Sequence, residues 1–140
     1  MRVRSHINHE KNEVHELAKI SLESEMLAKN IHLLSSEDEE ERLTALEALV
    51  TSTWDPAWSP KTLIDGGGLP AVASCLSAGS PRVRGAAVAL LRALTERGEG
   101  EAVAVNNVVP VLEQLQNDPD EIVKSRASLL LGLLRSKGCF

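Results

Sequence analysis

The side chains best suited to holding a metal are His6, His9 and His15 with Glu10 and Glu13, since imidazoles and carboxylates three residues apart share one helix face. A segment with no packing partner pre-organises such ligands poorly, so no metal is expected there. His32 stands alone beside an apolar row and reads as a half-exposed packing residue. Gly66-Gly67-Gly68 offers bare backbone amides of the kind that cradle phosphate, yet no Lys-Ser or Lys-Thr follows it and no strand precedes it. A tight turn is the expected use. Glu37-Asp38-Glu39-Glu40-Glu41 is either an acidic docking face or a set of carboxylates complementing the positive end of a helix.

Catalytic groupings fail on spacing. The chain carries no Gly-x-Ser-x-Gly, His-Glu-x-x-His or Cys-x-x-Cys pattern. Its paired acids lie at a solvent-facing helix start, where nothing raises one carboxyl pKa above another. Cys75, in an apolar run, and Cys139 form neither a disulfide framework nor a metal spacing and are expected as reduced thiols. The chain therefore reads as non-enzymatic, with no cofactor and no metal. Trp54 and Trp58 remain, in Thr53-Trp54-Asp55-Pro56-Ala57-Trp58-Ser59-Pro60. Tryptophan anchors partners or seals joints. Trp58, nearer the following helix, is expected to be the buried ring and Trp54 the exposed one.

What positions these residues follows from composition and repetition. The chain has 140 residues, 15 Lys+Arg against 20 Asp+Glu, a formal charge of -5, 43% apolar and 2% aromatic residues. One domain fits this length. A core without aromatics needs aliphatic side chains at close range, which Ala- and Leu-rich helices supply better than sheets. An all-α fold is expected. The acidic balance opposes nucleic-acid binding, which needs clustered Lys and Arg. No apolar run approaches the roughly 18 residues of a membrane span, and Met1-Arg2-Val3-Arg4 leads into polar residues rather than a secretory stretch. No membrane partner is expected, and the location reads as cytoplasmic, with the nucleus as the alternative.

The chain repeats itself. Leu69-Pro70-Ala71-Val72 aligns with Val109-Pro110-Val111-Leu112, and Arg84, Ala87, Leu90, Leu91 and Leu94 then fall on Lys124, Ala127, Leu130, Leu131 and Leu134, a period of about 40. A shift of about 42 in the other direction places Arg84 on Arg42 and Leu91 on Leu49. Each copy reads as a short helix, a turn, a second helix and a polar link into a third. Gly66-Gly67-Gly68 and Asn106-Asn107 make the turns, and Pro70 and Pro110 open the second helices. Third helices are expected over 38–52, 81–96 and 119–136. Their caps are expected to be Ser36 with Glu39, Ser80 before Pro81, and Asp118 with Glu121. Gly98 and Gly138 read as stops.

Asp65-Gly66-Gly67-Gly68-Leu69-Pro70, then Leu76 and Pro81-Arg82-Val83-Arg84-Gly85-Ala86-Ala87 to Leu94, resemble an armadillo repeat, close to the HEAT repeat in period. The resemblance covers about residues 22–136. It implies an α-solenoid of about three repeats (22–53, 60–97 and 99–137) within a domain over 22–140, with an N-terminal segment and capping helix over 1–21. It also implies a concave groove, lined by third helices, that binds other proteins. Armadillo proteins that grip extended peptides, such as importins and catenins, carry an Asn ladder with a Trp four residues earlier. The matching positions here are Thr51, Ala93 and Leu133, preceded by Glu47, Ala89 and Leu129. None can supply the amides an extended peptide needs.

The expected partner-binding residues are accordingly Thr44, Glu47, Thr51, Trp54, Ala89, Arg92, Ala93, Arg126, Leu129 and Leu133. Small side chains in the middle copy favour a helical protein partner. The last helix carries a wide apolar arc that includes Ile122, Leu129 and Leu133, so its end is expected to dock something, a second copy of the chain included. An adaptor or scaffold is the leading reading. The alternatives are a structural subunit and a co-chaperone similar to the armadillo-like nucleotide exchange factors, whose third helices resemble Glu41-Arg42-Leu43-Thr44-Ala45-Leu46.

Overall fold

The computed structural model describes residues 24–140. Residues 24–33 form α1, followed by α2 (Glu39–Ser52), α3 (Pro60–Asp65), α4 (Gly68–Cys75), α5 (Pro81–Leu94), α6 (Gly100–Val103), α7 (Val109–Leu115) and α8 (Glu121–Ser136). The described residues are helices and turns, without strands. None of their helices is long and apolar enough to cross a membrane. The capping helix expected within 1–21 and the His6, His9 and His15 group lie outside the described residues.

The helices repeat as triplets, α3–α4–α5 and then α6–α7–α8, with α1 and α2 ahead of them. Two turn devices make the triplets. Between α3 and α4, Gly67 takes a left-handed φ of 79°, which a side chain would penalise. Its neighbour Gly68 lies so near Leu63 that a Cβ would sit 2.2 Å from Leu63 Cδ1. In the next triplet Asn107 takes the same left-handed role at φ 60°, and Asn106 Nδ2 donates to the Ala102 carbonyl at 2.7 Å. Past α5 the chain turns at Gly98, φ 91°, and past α8 at Gly138, φ 71°.

Two of the expected caps are corrected. Ser80 does cap α5, its Oγ accepting from the Val83 amide. The α2 cap is Asp38, not Ser36; Asp38 Oδ1 accepts from the Glu40 amide while Ser36 Oγ accepts from Asp38 one step upstream. Likewise Asp120 caps α8 through the Ile122 and Val123 amides. Asp118 is held elsewhere. Its carboxylate takes Arg84 Nε and Nη2, both at 3.0 Å, and Arg84 Nη1 donates to the Ala78 and Gly79 carbonyls. One guanidinium thus ties the last two triplets together. At the joint between α2 and α5 the matching position is Ala78, so Arg42 finds no such carboxylate. Glu39 serves there instead, accepting from the Ser80 amide at 3.0 Å and standing 3.8 Å from Arg42.

The third helices α2, α5 and α8 pack side by side. Middle helix α5 is covered on both flanks, which buries Val83, Gly85, Ala86, Ala87, Val88, Leu90, Leu91 and Leu94. Leu46, Leu49, Leu63, Val72, Leu112, Leu130 and Leu134 complete one continuous aliphatic core, each large side chain contributing roughly 1.5–3 kcal/mol of transfer free energy. The wide arc of α8 divides. Val123, Ala127, Leu130, Leu131 and Leu134 face the core, whereas the flank matching the covered side of α5 carries exposed Lys124, Ser125, Ser128 and Arg135. The apolar residues left outside, Ile122 and Leu129, lie on the face shared with α2 and α5. His32, expected to be half-exposed, is exposed on α1.

Candidate protein-binding groove

An open trough of about 470 Å³ crosses the third helices obliquely. It starts at the C-terminal end of α2 with Glu47, Thr51 and Trp54, passes over Gly85, Ala86 and Ala89 of α5, and ends at Ile122 and Arg126 near the start of α8. Small residues make its floor because α5 must approach both neighbours closely. Gly85 lies within ordinary contact distance of α8. A Cβ there would meet Arg126 Nη1 at 3.4 Å and Val123 Cγ2 at 3.7 Å, and Arg126 Nη1 donates to the Gly85 carbonyl at 3.0 Å. That bond fixes one wall of the trough to its floor.

The opposite wall is fixed by Arg97. Its Nη1 donates to the Thr53 carbonyl at 3.0 Å and its Nη2 to the Trp58 carbonyl at 2.6 Å. Asp55 Oδ1 also accepts from the Ala57 amide. The loop so pinned half-buries Trp58 against the core and leaves Trp54 74% exposed at the rim. The two rings thus differ in the expected sense. An exposed indole on a pinned loop beside small residues is a shape against which a partner's side chain can pack.

Polar groups in the trough are few and mostly engaged. Thr51 Oγ1 donates to the Glu47 carbonyl within α2, Asp120 caps α8, and Arg82 stands 3.6 Å from Glu40 across the surface. Glu47 has no ion-pair partner among the described residues. No asparagine or glutamine lines the trough. It offers no side-chain amides to ladder onto the amides and carbonyls of an extended backbone.

A second trough, of about 390 Å³, lies toward the C-terminal ends of α5 and α8, between Arg92 and Glu96 on one side and Leu129, Gly132 and Leu133 on the other. Arg92 Nε meets Glu96 Oε1 at 2.9 Å. Of the ten residues singled out in the sequence, Glu47, Thr51, Trp54, Ala89 and Arg126 line the first trough and Arg92, Leu129 and Leu133 the second. Thr44 and Ala93 line neither; Thr44 is exposed, with Oγ1 donating to the Glu40 carbonyl. Sequence reasoning left Arg82 and Gly85 out of the groove and gave Ile122 only to the apolar arc of the last helix. The signal for two of them was present, because Arg82 and Ile122 are equivalent across the period, about two turns before Ala89 and Leu129.

No protein-family model matches the sequence, and no curated protein matches it. Solved structures do. A designed armadillo repeat protein is 25% identical with a TM-score of 0.68, over 77% of this chain and 46% of its own. Computationally designed armadillo repeat proteins for modular peptide recognition are 24% identical with a TM-score of 0.71, over 76% and 46%. A third designed armadillo repeat protein, in complex with peptide (KR)4, is 23% identical with a TM-score of 0.71, over 77% and 46%. The chain spans about half the length of these proteins. With its recurring helix triplets and side-by-side third helices, the chain has an armadillo-like helical-repeat fold, an all-α solenoid.

Proposed function

We propose that the chain is a non-enzymatic adaptor that seats a helical segment of a protein partner in the trough across α2, α5 and α8. The observation that carries this reading is Trp54, 74% exposed on a loop pinned by Arg97, facing a floor of Gly85, Ala86 and Ala89. A helix satisfies its own backbone and needs from a groove only shape and apolar contact. That is what the lining supplies. The designed neighbours support the fold, and the preference for a helix rests on the missing side-chain amides.

A photo-crosslinking residue at Ala89, with one at exposed Ser74 on α4 as the control, tests the reading by mass spectrometry of the adducts. Crosslinks from a helical partner segment at Ala89, with affinity lowered about 30-fold by Trp54→Ala, are the expected result. Crosslinking equal at Ser74, or insensitivity to Trp54→Ala, contradicts it. Self-association is a second reading, favoured by Leu129, 58% exposed beside half-buried Leu133. Sedimentation of the wild type and of Leu129→Glu separates the two, since a dimer dissociated by that change supports self-association.

A further inference from the structure

The two ends of the trough differ in charge. Glu47 stands on the α2 wall with no ion-pair partner among the described residues. On the α8 wall Arg126 is tethered through one nitrogen to the Gly85 carbonyl, which leaves the rest of its guanidinium free and oriented. Arg82, on α5 between the walls, reaches toward α2 instead, its charge shared with Glu40 at 3.6 Å, the two side chains 69% and 77% exposed. Asp120, the carboxylate on the α8 wall, commits its Oδ1 to the Ile122 and Val123 amides at the positive end of that helix, which offsets its charge. Between these ends the floor is uncharged, with Gly85, Ala86 and Ala89 under the span from Trp54 to Ile122.

We propose that the helix accepted by this trough is bipolar: a cationic side chain at the end lying on α2, an anionic one at the end lying on α8, and aliphatic side chains between. This rests on the helix-in-groove reading above. Neighbouring helix axes lie about 8–10 Å apart, so the two walls are separated by about 16–20 Å. At 1.5 Å per residue this is about 11–13 residues. A cation and an anion about 11 residues apart project from one helix face, because that interval is close to three turns. A helix with the same charge at both ends satisfies one wall and opposes the other.

Three hydrocarbon-stapled helical peptides of about 15 residues test the proposal, with leucine and alanine on the groove face. The first carries lysine in the first turn and glutamate in the last, the second lysine at both ends, the third glutamate at both ends. Titration is followed by Trp54 fluorescence in a Trp58→Phe background. The wild type should prefer the bipolar peptide by about threefold to fivefold, the range of an exposed ion pair, and lose that preference in molar salt. Arg126→Glu should transfer the preference to the lysine peptide and Glu47→Lys to the glutamate peptide. Binding of all three with one rank order in every variant overturns the charge assignment and leaves the groove. No binding of any peptide overturns both.

Discussion

Replacing Asp118 with alanine removes one partner of the most enclosed ion pair among the described residues. The Arg84 side chain is 14% exposed and that of Asp118 6%, with two hydrogen bonds of 3.0 Å joining them. Breaking a buried pair from one side costs about 3–5 kcal/mol. Arg84 keeps the Ala78 and Gly79 carbonyls, so the lower end applies, about 3 kcal/mol, or about 10 °C in melting temperature for a chain of this size. Glu40→Ala is the internal control. Its pair with Arg82 is exposed at 3.6 Å and should cost less than about 1 kcal/mol. Urea unfolding followed by circular dichroism measures both, and a double-mutant cycle with Arg84→Met isolates the coupling.

Acidity gives an independent readout of the same pair. Burial alone would raise the Asp118 carboxyl, but the Arg84 hydrogen bonds, the Asp120 amide and the Arg84 charge outweigh it and hold the group below its ordinary 3.8. A folded value lower than the unfolded one stabilises the fold at pH above the unfolded value, and that stabilisation is lost as pH falls through the folded value. Wild type should therefore lose stability over this acidic range more steeply than Asp118→Ala. Equal acid limbs, or a cost for Asp118→Ala no larger than for Glu40→Ala, would refute the account of the inter-repeat clamp.

Three further outcomes follow from other parts of the fold. Gly68→Ala sets a Cβ 2.2 Å from Leu63 Cδ1 and 2.9 Å from the Leu63 carbonyl, so thermal melting should show a loss of about 1–3 kcal/mol. Thiol titration of the native protein should label Cys139 and spare Cys75. Burial pushes the Cys75 thiol up against the opposing Arg42 charge, and it is fully covered, whereas Cys139 is partly exposed; rapid modification of both would contradict the packing of α4. Arg97→Ala frees the Thr53 and Trp58 carbonyls, so Trp58 emission should shift to the red in a Trp54→Phe background. An unchanged spectrum would mean that the loop holds itself.

Much of this architecture is legible in the residues. Recurring Leu/Val-Pro and Arg/Lys-x-x-Ala-x-x-Leu/Ala-Leu spacings locate the second and third helices, because each copy buries the same aliphatic positions. Short polar clusters are less legible. Ser36-Glu37-Asp38 and Asp118-Pro119-Asp120 each contain two side chains able to cap a helix. Tertiary pull decides between them: Asp118 goes to Arg84, 34 positions away, and its cap role passes to Asp120. Arg97 reaching the carbonyls of residues 53 and 58 is equally invisible to periodicity, since it joins positions about 40 apart through the main chain. The apolar arc of α8 is ambiguous in the sequence for a different reason. An arc on a wheel does not say which part faces the core and which a trough, and only packing beside α5 separates Leu130 from Leu129.

The most direct test of the groove is amide chemical-shift mapping on isotopically labelled protein titrated with the bipolar helix. The account predicts perturbations confined to the third helices and the loop after α2, centred on Glu47 to Trp54, Arg82 to Ala89 and Ile122 to Arg126, with α4 and α7 unmoved. Perturbations centred on α4 and α7, or none at saturating peptide, would contradict it.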